Sequence, residues 1–173
     1  MYFYTFLFTM CMTCISILNH MNSRQVTTSL THYSQCMQCE PGKWCGWGTT
    51  SDSGPNPPQP CYPGHWCPAG SKLGGGDHKC KPGTYNPHTN STSESDCKDC
   101  PAGKYCEGGQ GHISGPCAKG FYCPARSNTS KAIACPAGTY NNVENGTDVN
   151  SCLPCTIGNY CLTGVNGPTA CPD

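Results

Sequence analysis

The sequence is short of the residues that build an oily core: between Thr31 and Asp173, Leu, Ile, Val and Phe together occur ten times. A chain so poor in them cannot bury enough apolar area to offset the entropy of ordering it, which argues against a globular domain held by hydrophobic burial. It also lacks an excess of either charge. Ten basic and ten acidic residues are scattered singly, leaving no electrostatic footprint for nucleic acid or an anionic membrane surface. Beyond the N-terminus no segment sustains a 3.6-residue apolar period, and strand-like runs are short, so little helix and no membrane insertion by this part of the chain are expected. The histidines (His20, His32, His65, His78, His88, His112) are dispersed, and no nucleophile and base can be composed from them. The expectation is that the chain is not an enzyme and holds no cofactor or metal.

What the chain has instead is cysteine: 18 residues, 16 of them between Cys36 and Cys171. At that density, without a core, cysteine reads as the disulfide framework of a secreted or cell-surface protein. A bridge closing a loop of about 15 residues contributes on the order of 3 kcal/mol, chiefly by restricting the unfolded chain, and several can replace a core. The segment from Tyr2 to Leu18 is uncharged and apolar. It reads as an export signal within residues 1–20, followed by a linker over 21–35. A signal anchor or a gene-model artefact are the other readings, since no Lys or Arg precedes the apolar run and no small-x-small cleavage site stands out after it. Cys11 and Cys14 lie inside this segment and are set apart from the framework.

One motif, Cys-x-x-Gly-x-aromatic, recurs seven times, as Cys39–Gly42–Trp44, Cys61–Gly64–Trp66, Cys80–Gly83–Tyr85, Cys100–Gly103–Tyr105, Cys117–Gly120–Tyr122, Cys135–Gly138–Tyr140 and Cys155–Gly158–Tyr160, and Cys171 opens an eighth copy. In the third and sixth copies Asn86 and Asn141 stand where the other five have a cysteine. This gives a six-cysteine unit, with repeats over 36–96 and 97–151 and a truncated one over 152–173. The glycine can take positive φ and turn the chain after a bridged cysteine, while the ring covers the disulfide. The loop Gly46–Pro60 reads as a solvated excursion. Gly54-Pro55, Gly115-Pro116 and Gly167-Pro168 suggest a shared turn.

Six cysteines allow 15 connectivities, and spacing does not choose among them. The runs CKPGTYNPHTNSTSESDCKDCPAGKYC and CPAGTYNNVENGTDVNSCLPCTIGNYC resemble the ephrin-receptor-type cysteine-rich repeat of the growth-factor-receptor cysteine-rich group, which is similar to tumour-necrosis-factor-receptor modules. The resemblance runs from Cys36 to Asp173. It implies simple loops Cys80–Cys97 and Cys135–Cys152, and crossed pairs Cys39–Cys61 with Cys45–Cys67 and Cys100–Cys117 with Cys106–Cys123. Cys155–Cys171 follows in the same phase. Cys36 and Cys161 are left without partners, which gives the expectation that the chain is a fragment of a longer array.

Asn90, Asn128 and Asn145 head glycosylation sequons, and Asn90 and Asn145 each lie ten residues after a motif cysteine, Cys80 and Cys135. The pairs Cys36/Cys39, Cys97/Cys100 and Cys152/Cys155 have the spacing of half a zinc site or of a redox pair. Zinc would need a reducing compartment and a second pair in register, and redox exchange would need a following helix, so bridged neighbours are the expected state. Trp44, Trp47 and Trp66 are expected to pack over disulfides, with Trp47, outside the motif, the candidate for ligand contact. The fold expected is small and disulfide-rich, an elongated tandem of cysteine-rich modules with short β-hairpins and irregular loops. The function expected is an extracellular structural or interaction module of an adhesion, matrix or receptor-ectodomain protein, whose partners are an extracellular protein ligand or neighbouring modules. A free-standing secreted defence or toxin-like protein is the alternative, and an intracellular zinc protein a more distant one.

Overall fold

The computed structural model of the chain describes residues 38–46, 49, 56–75 and 78–172. The apolar N-terminal segment, the linker, Cys36, Trp47, His20, His32 and Gly54-Pro55 lie outside the described residues.

Every motif builds the same local structure. Its glycine takes φ between 80° and 87°, a left-handed conformation that a Cβ would disfavour, and in six of the seven motifs the chain doubles back into a two-residue strand ending on the aromatic residue. That strand pairs antiparallel with the two residues preceding the next motif's cysteine. The hairpins are β1 (Lys43–Trp44) with β2 (Gln59–Pro60), β3 (Thr84–Tyr85) with β4 (Lys98–Asp99), and β5 (Lys104–Tyr105) with β6 (Gly115–Pro116). They continue as β7 (Phe121–Tyr122) with β8 (Ile133–Ala134), β9 (Thr139–Tyr140) with β10 (Leu153–Pro154), and β11 (Asn159–Tyr160) with β12 (Thr169–Ala170). The second motif makes a single bridge, His65 to Lys79. Apart from short 3-10 turns at Glu94–Asp96 and Val149–Ser151, the described residues form no helix. This is a small disulfide-rich tandem of hairpins.

The bridges differ from the crossed pattern that the resemblance implied. In place of Cys39–Cys61 and Cys45–Cys67 the structure closes Cys39–Cys45 and Cys61–Cys67, and in place of Cys100–Cys117 and Cys106–Cys123 it closes Cys100–Cys106 and Cys117–Cys123. Cys155 bonds Cys161, not Cys171, so Cys161 has a partner within the chain and Cys171 is free and exposed. The physical reason is the turn itself. Reversal at the glycine brings the cysteines at the two ends of each motif to a Cα separation of 5.8–5.9 Å, inside the range a disulfide requires. Where Asn86 or Asn141 occupies the closing position, the opening cysteine finds the next one along, giving Cys80–Cys97 and Cys135–Cys152. Those two bonds cross the boundaries that the cysteine pattern places after residues 96 and 151.

The buried apolar residues among those described are all cysteines, including Cys61, Cys67, Cys80, Cys100, Cys106, Cys117, Cys123 and Cys135. Asn86 and Asn141 are fully buried beside them. Asn86 donates from Nδ2 to the Ser91 hydroxyl and the His65 carbonyl, and its Oδ1 accepts from His88 N–H. Asn141 donates to the Phe121 carbonyl and accepts from Val143 N–H. In these two motifs a satisfied amide fills the place of a bridge. The motif rings stay partly exposed, so sulfur rather than aromatic carbon forms the interior.

Since five of the seven bridges close within one turn, motifs are joined mainly by backbone hydrogen bonds. The N–H of each motif cysteine donates to the preceding motif's glycine carbonyl, as from Cys100 to Gly83 and Cys155 to Gly138. The glycine N–H donates forward to the residue that closes the next motif, as from Gly83 to Cys106 and Gly138 to Cys161. A third bond comes from a residue nine or ten positions past the motif cysteine: Gly70, Asn90, Gly109, Arg126, Asn145 and Gly164 donate to the carbonyls of Cys39, Cys61, Cys80, Cys100, Cys117 and Cys135. All six donors have positive φ, from 59° to 79°. The Gly-Pro steps do not form a shared turn: Gly115-Pro116 is strand β6 directly before Cys117, whereas Gly167-Pro168 precedes β12. The two steps stand at different distances from the next cysteine, so they meet the ladder in different registers.

Candidate functional site

The loops between paired strands hold the three sequon asparagines. Asn90, Asn128 and Asn145 are all exposed, as a glycan acceptor must be. The structure gives a second reason for asparagine at two of them. Asn90 and Asn145 occupy the left-handed donor position, with φ of 59° and 66°, a conformation that asparagine tolerates better than most residues. Their recurrence ten residues after Cys80 and Cys135 therefore follows from backbone geometry whether or not sugar is attached. The sequence signal for this position was Gly or Asn nine or ten residues past the motif cysteine, obscured by Arg126, which takes φ of 69°.

Both described Cys-x-x-Cys pairs send their sulfurs to different partners. Cys97 bonds Cys80 while Cys100 bonds Cys106, and Cys152 bonds Cys135 while Cys155 bonds Cys161. Of the histidines, His78 stacks on Trp66 at 4.3 Å, and His65 holds the Pro63 carbonyl at 3.0 Å through Nδ1. His88 Nε2 lies 3.3 Å from Lys98 Nζ, and His112 is exposed. Trp44 meets Tyr62 edge-on at 5.9 Å, and a Cβ on Gly74 would collide with its indole, so this ring is packing under the loop around Gly74. A shallow open depression of about 290 Å³ is lined by residues 68–73 and His78. It lacks the enclosing apolar walls and convergent polar groups of a small-molecule site.

One carboxyl stands out electrostatically. Asp96 accepts from the backbone N–H groups of Thr92 and Ser93 at 2.8 and 3.1 Å, and those donors hold its pKa below the ordinary carboxylate value. Ser151 takes the corresponding place in the next such loop, its hydroxyl accepting from Thr147 N–H at 3.1 Å. The acceptor is kept and the charge is not.

No helix among the described residues is long and apolar enough to cross a membrane. A framework of seven bridges within residues 39–161 marks an extracellular type of disulfide-rich module, since reducing compartments do not sustain such bonds. No protein-family model matches the chain, and no curated protein matches it.

Proposed function

We propose that the chain is a spacing and recognition module that works outside the cell, part of the repeat array of an adhesion, matrix or receptor-ectodomain protein of the ephrin-receptor-like kind. It binds a protein ligand or neighbouring modules by shape and performs no catalysis. The observation that carries this reading is that cysteine supplies the whole buried apolar interior of the described residues. Loops held by bridged turns lose little ordering entropy on binding, which suits recognition by a rigid array. Asn90, Asn128 and Asn145 carry glycans on the exposed loops.

The test is a thiol titration and a gel-filtration profile of protein secreted by an oxidising host, before and after reductant. The expected result is bridged cysteines throughout residues 39–161 and a marked expansion on reduction. Free thiols among the cysteines of residues 39–161 in the native material, with a shape that reductant does not change, would refute the reading. A glycosidase-dependent mobility shift, lost stepwise when each asparagine is changed to Gln, checks the glycans.

A further inference from the structure

Two stretches of the chain share one backbone and carry opposite surfaces. Residues 80–107 and 135–162 run in register at a constant offset of 55. The hydrogen bonds match position by position: Gly83 to Cys106 with Gly138 to Cys161, Asn86 to Gln110 with Asn141 to Val165, and Cys97 to Glu94 with Cys152 to Val149. The first stretch carries seven charged side chains between Lys81 and Glu107; at the seven matching positions of the second none is charged.

Two of the exchanges fall on touching pairs. Lys81 Nζ and Glu94 Oε1 form an ion pair at 2.6 Å, and their counterparts are Pro136 and Val149. Lys98 Nζ lies 3.3 Å from His88 Nε2, and their counterparts are Leu153 and Val143. Ala102 and Glu107 correspond to Ile157 and Leu162. The replacements lie open to water, with relative exposures of 56% for Val143, 52% for Val149, 44% for Leu153, 63% for Leu162 and full exposure for Ile157. Proximity to the C-terminus does not explain this. Lys81, His88, Glu94, Lys98, Ala102 and Glu107 are equally exposed in the first stretch, which has later motifs stacked on it, so further motifs in this register leave these positions uncovered.

We infer that Pro136, Val143, Val149, Leu153, Ile157 and Leu162 form a docking face for the same face of a second copy of this chain. The chemistry selects this occupant. From Ala132 to Asp173 there is no Lys or Arg, and Glu144 and Asp148 are the acidic residues within 135–162, so the face repels anionic lipid and nucleic acid. An uncharged apolar face needs an apolar counterpart. The remaining large exposed apolar residues among those described, Tyr62, Leu73 and Ile133 apart from Tyr160 in β11, are single, so the matching surface is the face itself, and a two-fold contact requires only one self-complementary patch. Six side chains are far fewer than the roughly 20–30 residues a side of a stable complex. The association is transient. This inference rests on the recognition module proposed above and names its partner.

The test is analytical ultracentrifugation of the full secreted, glycosylated chain, from about 1 µM to about 500 µM, the range in which a small interface shows itself. A Cys171→Ser background removes covalent dimers through that exposed thiol. The expected result is a reversible monomer–dimer equilibrium, strengthened by salt because Glu144 and Asp148 lie near the contact on both copies. The surface variant carries Val143→His, Val149→Glu, Leu153→Lys and Leu162→Glu. It folds with intact bridges, because the first stretch holds these residues on the same backbone, and its association is weaker by at least about ten-fold. Monomer at every concentration, or a dimer that the surface variant leaves unchanged, would overturn the inference. So would a dimer seen only after glycans are removed, since the sugar on Asn145 and not a second copy would then cover the face. With its bridges intact, a monomer leaves the module reading standing; failure of that reading shows separately, as free thiols.

Discussion

At Gly83 and Gly158 the same residue in the same conformation has different surroundings. Both have φ of 80° or more, but a Cβ on Gly83 would run into the carbonyl of Arg126, two motifs further on, whereas a Cβ on Gly158 meets nothing. Gly158→Ala is therefore expected to cost only the left-handed penalty, about 1–2 kcal/mol. Gly83→Ala adds displacement of the Arg126 backbone and loss of the hydrogen bond from Arg126 N–H to Cys100, and should cost at least about 1 kcal/mol more. Denaturation midpoints of the two variants check the order, and equal losses would mean that the contact two motifs on is not made. Positive φ at the motif glycines was readable in the sequence, because a turn after each bridged cysteine demands it. The close approach was not, because it depends on a residue more than 40 positions away. Asp96 makes a second residue-scale prediction. Its folded pKa is lowered by the Thr92 and Ser93 N–H groups, so its contribution is present above the ordinary carboxylate value near 4 and is lost as pH falls through the lower folded value. Acid should loosen the loop closed by Cys80–Cys97, while the loop closed by Cys135–Cys152, where Ser151 cannot titrate, holds. Amide exchange at Thr92 and Ser93 against Thr147, followed below pH 5, reads the difference.

At the scale of the element, the motif decides its own bridge. Spacing left all connectivities open, and the crossed pairing drawn from resemblance failed because it overlooked how closely a left-handed glycine brings together the two cysteines of one turn. If that turn is the cause, a motif closed by asparagine should convert. The double substitution Asn141→Cys with Cys152→Ser offers Cys135 a partner at the distance it has in the other motifs, and peptide mapping without reduction should recover Cys135 bonded to the introduced thiol, six residues on. The change exchanges a loop with a sequence separation of 17 for one of 6, which in the chain-entropy model lowers the contribution from about 3 to about 2 kcal/mol. It also removes the buried amide that bonds Phe121 and Val143. The variant should therefore fold correctly bridged but less stable, and a Cys135 found unpaired or scrambled would show that the turn does not select its partner.

At the scale of the whole molecule, the composition made a disulfide scaffold legible, and the recurring motif made its tandem order legible. What holds one motif to the next was hidden, because it consists of backbone groups, which carry no residue signature. Local bridges stiffen each turn, and the hydrogen-bonded junctions pass order along the chain to the next motif and, through the glycine contacts, to the one after it. Stability in such an array is a sum of local and neighbour terms. Removing Cys117–Cys123 by changing both residues to Ser should cost about 2 kcal/mol in the chain-entropy model, and the loss should stay within reach of the junctions. Faster exchange is expected at the amides of Gly103, whose acceptor is the Cys123 carbonyl, and of Gly83, two motifs back, whose neighbour Arg126 lies just after the lost bridge. The Gly42 amide, bonded to the Cys67 carbonyl four motifs back, should exchange as before. A rise at Gly42 equal to that at Gly103 would show that the array unfolds as one cooperative body, and that its motifs are bound to one another more tightly than the backbone hydrogen bonds of each junction allow.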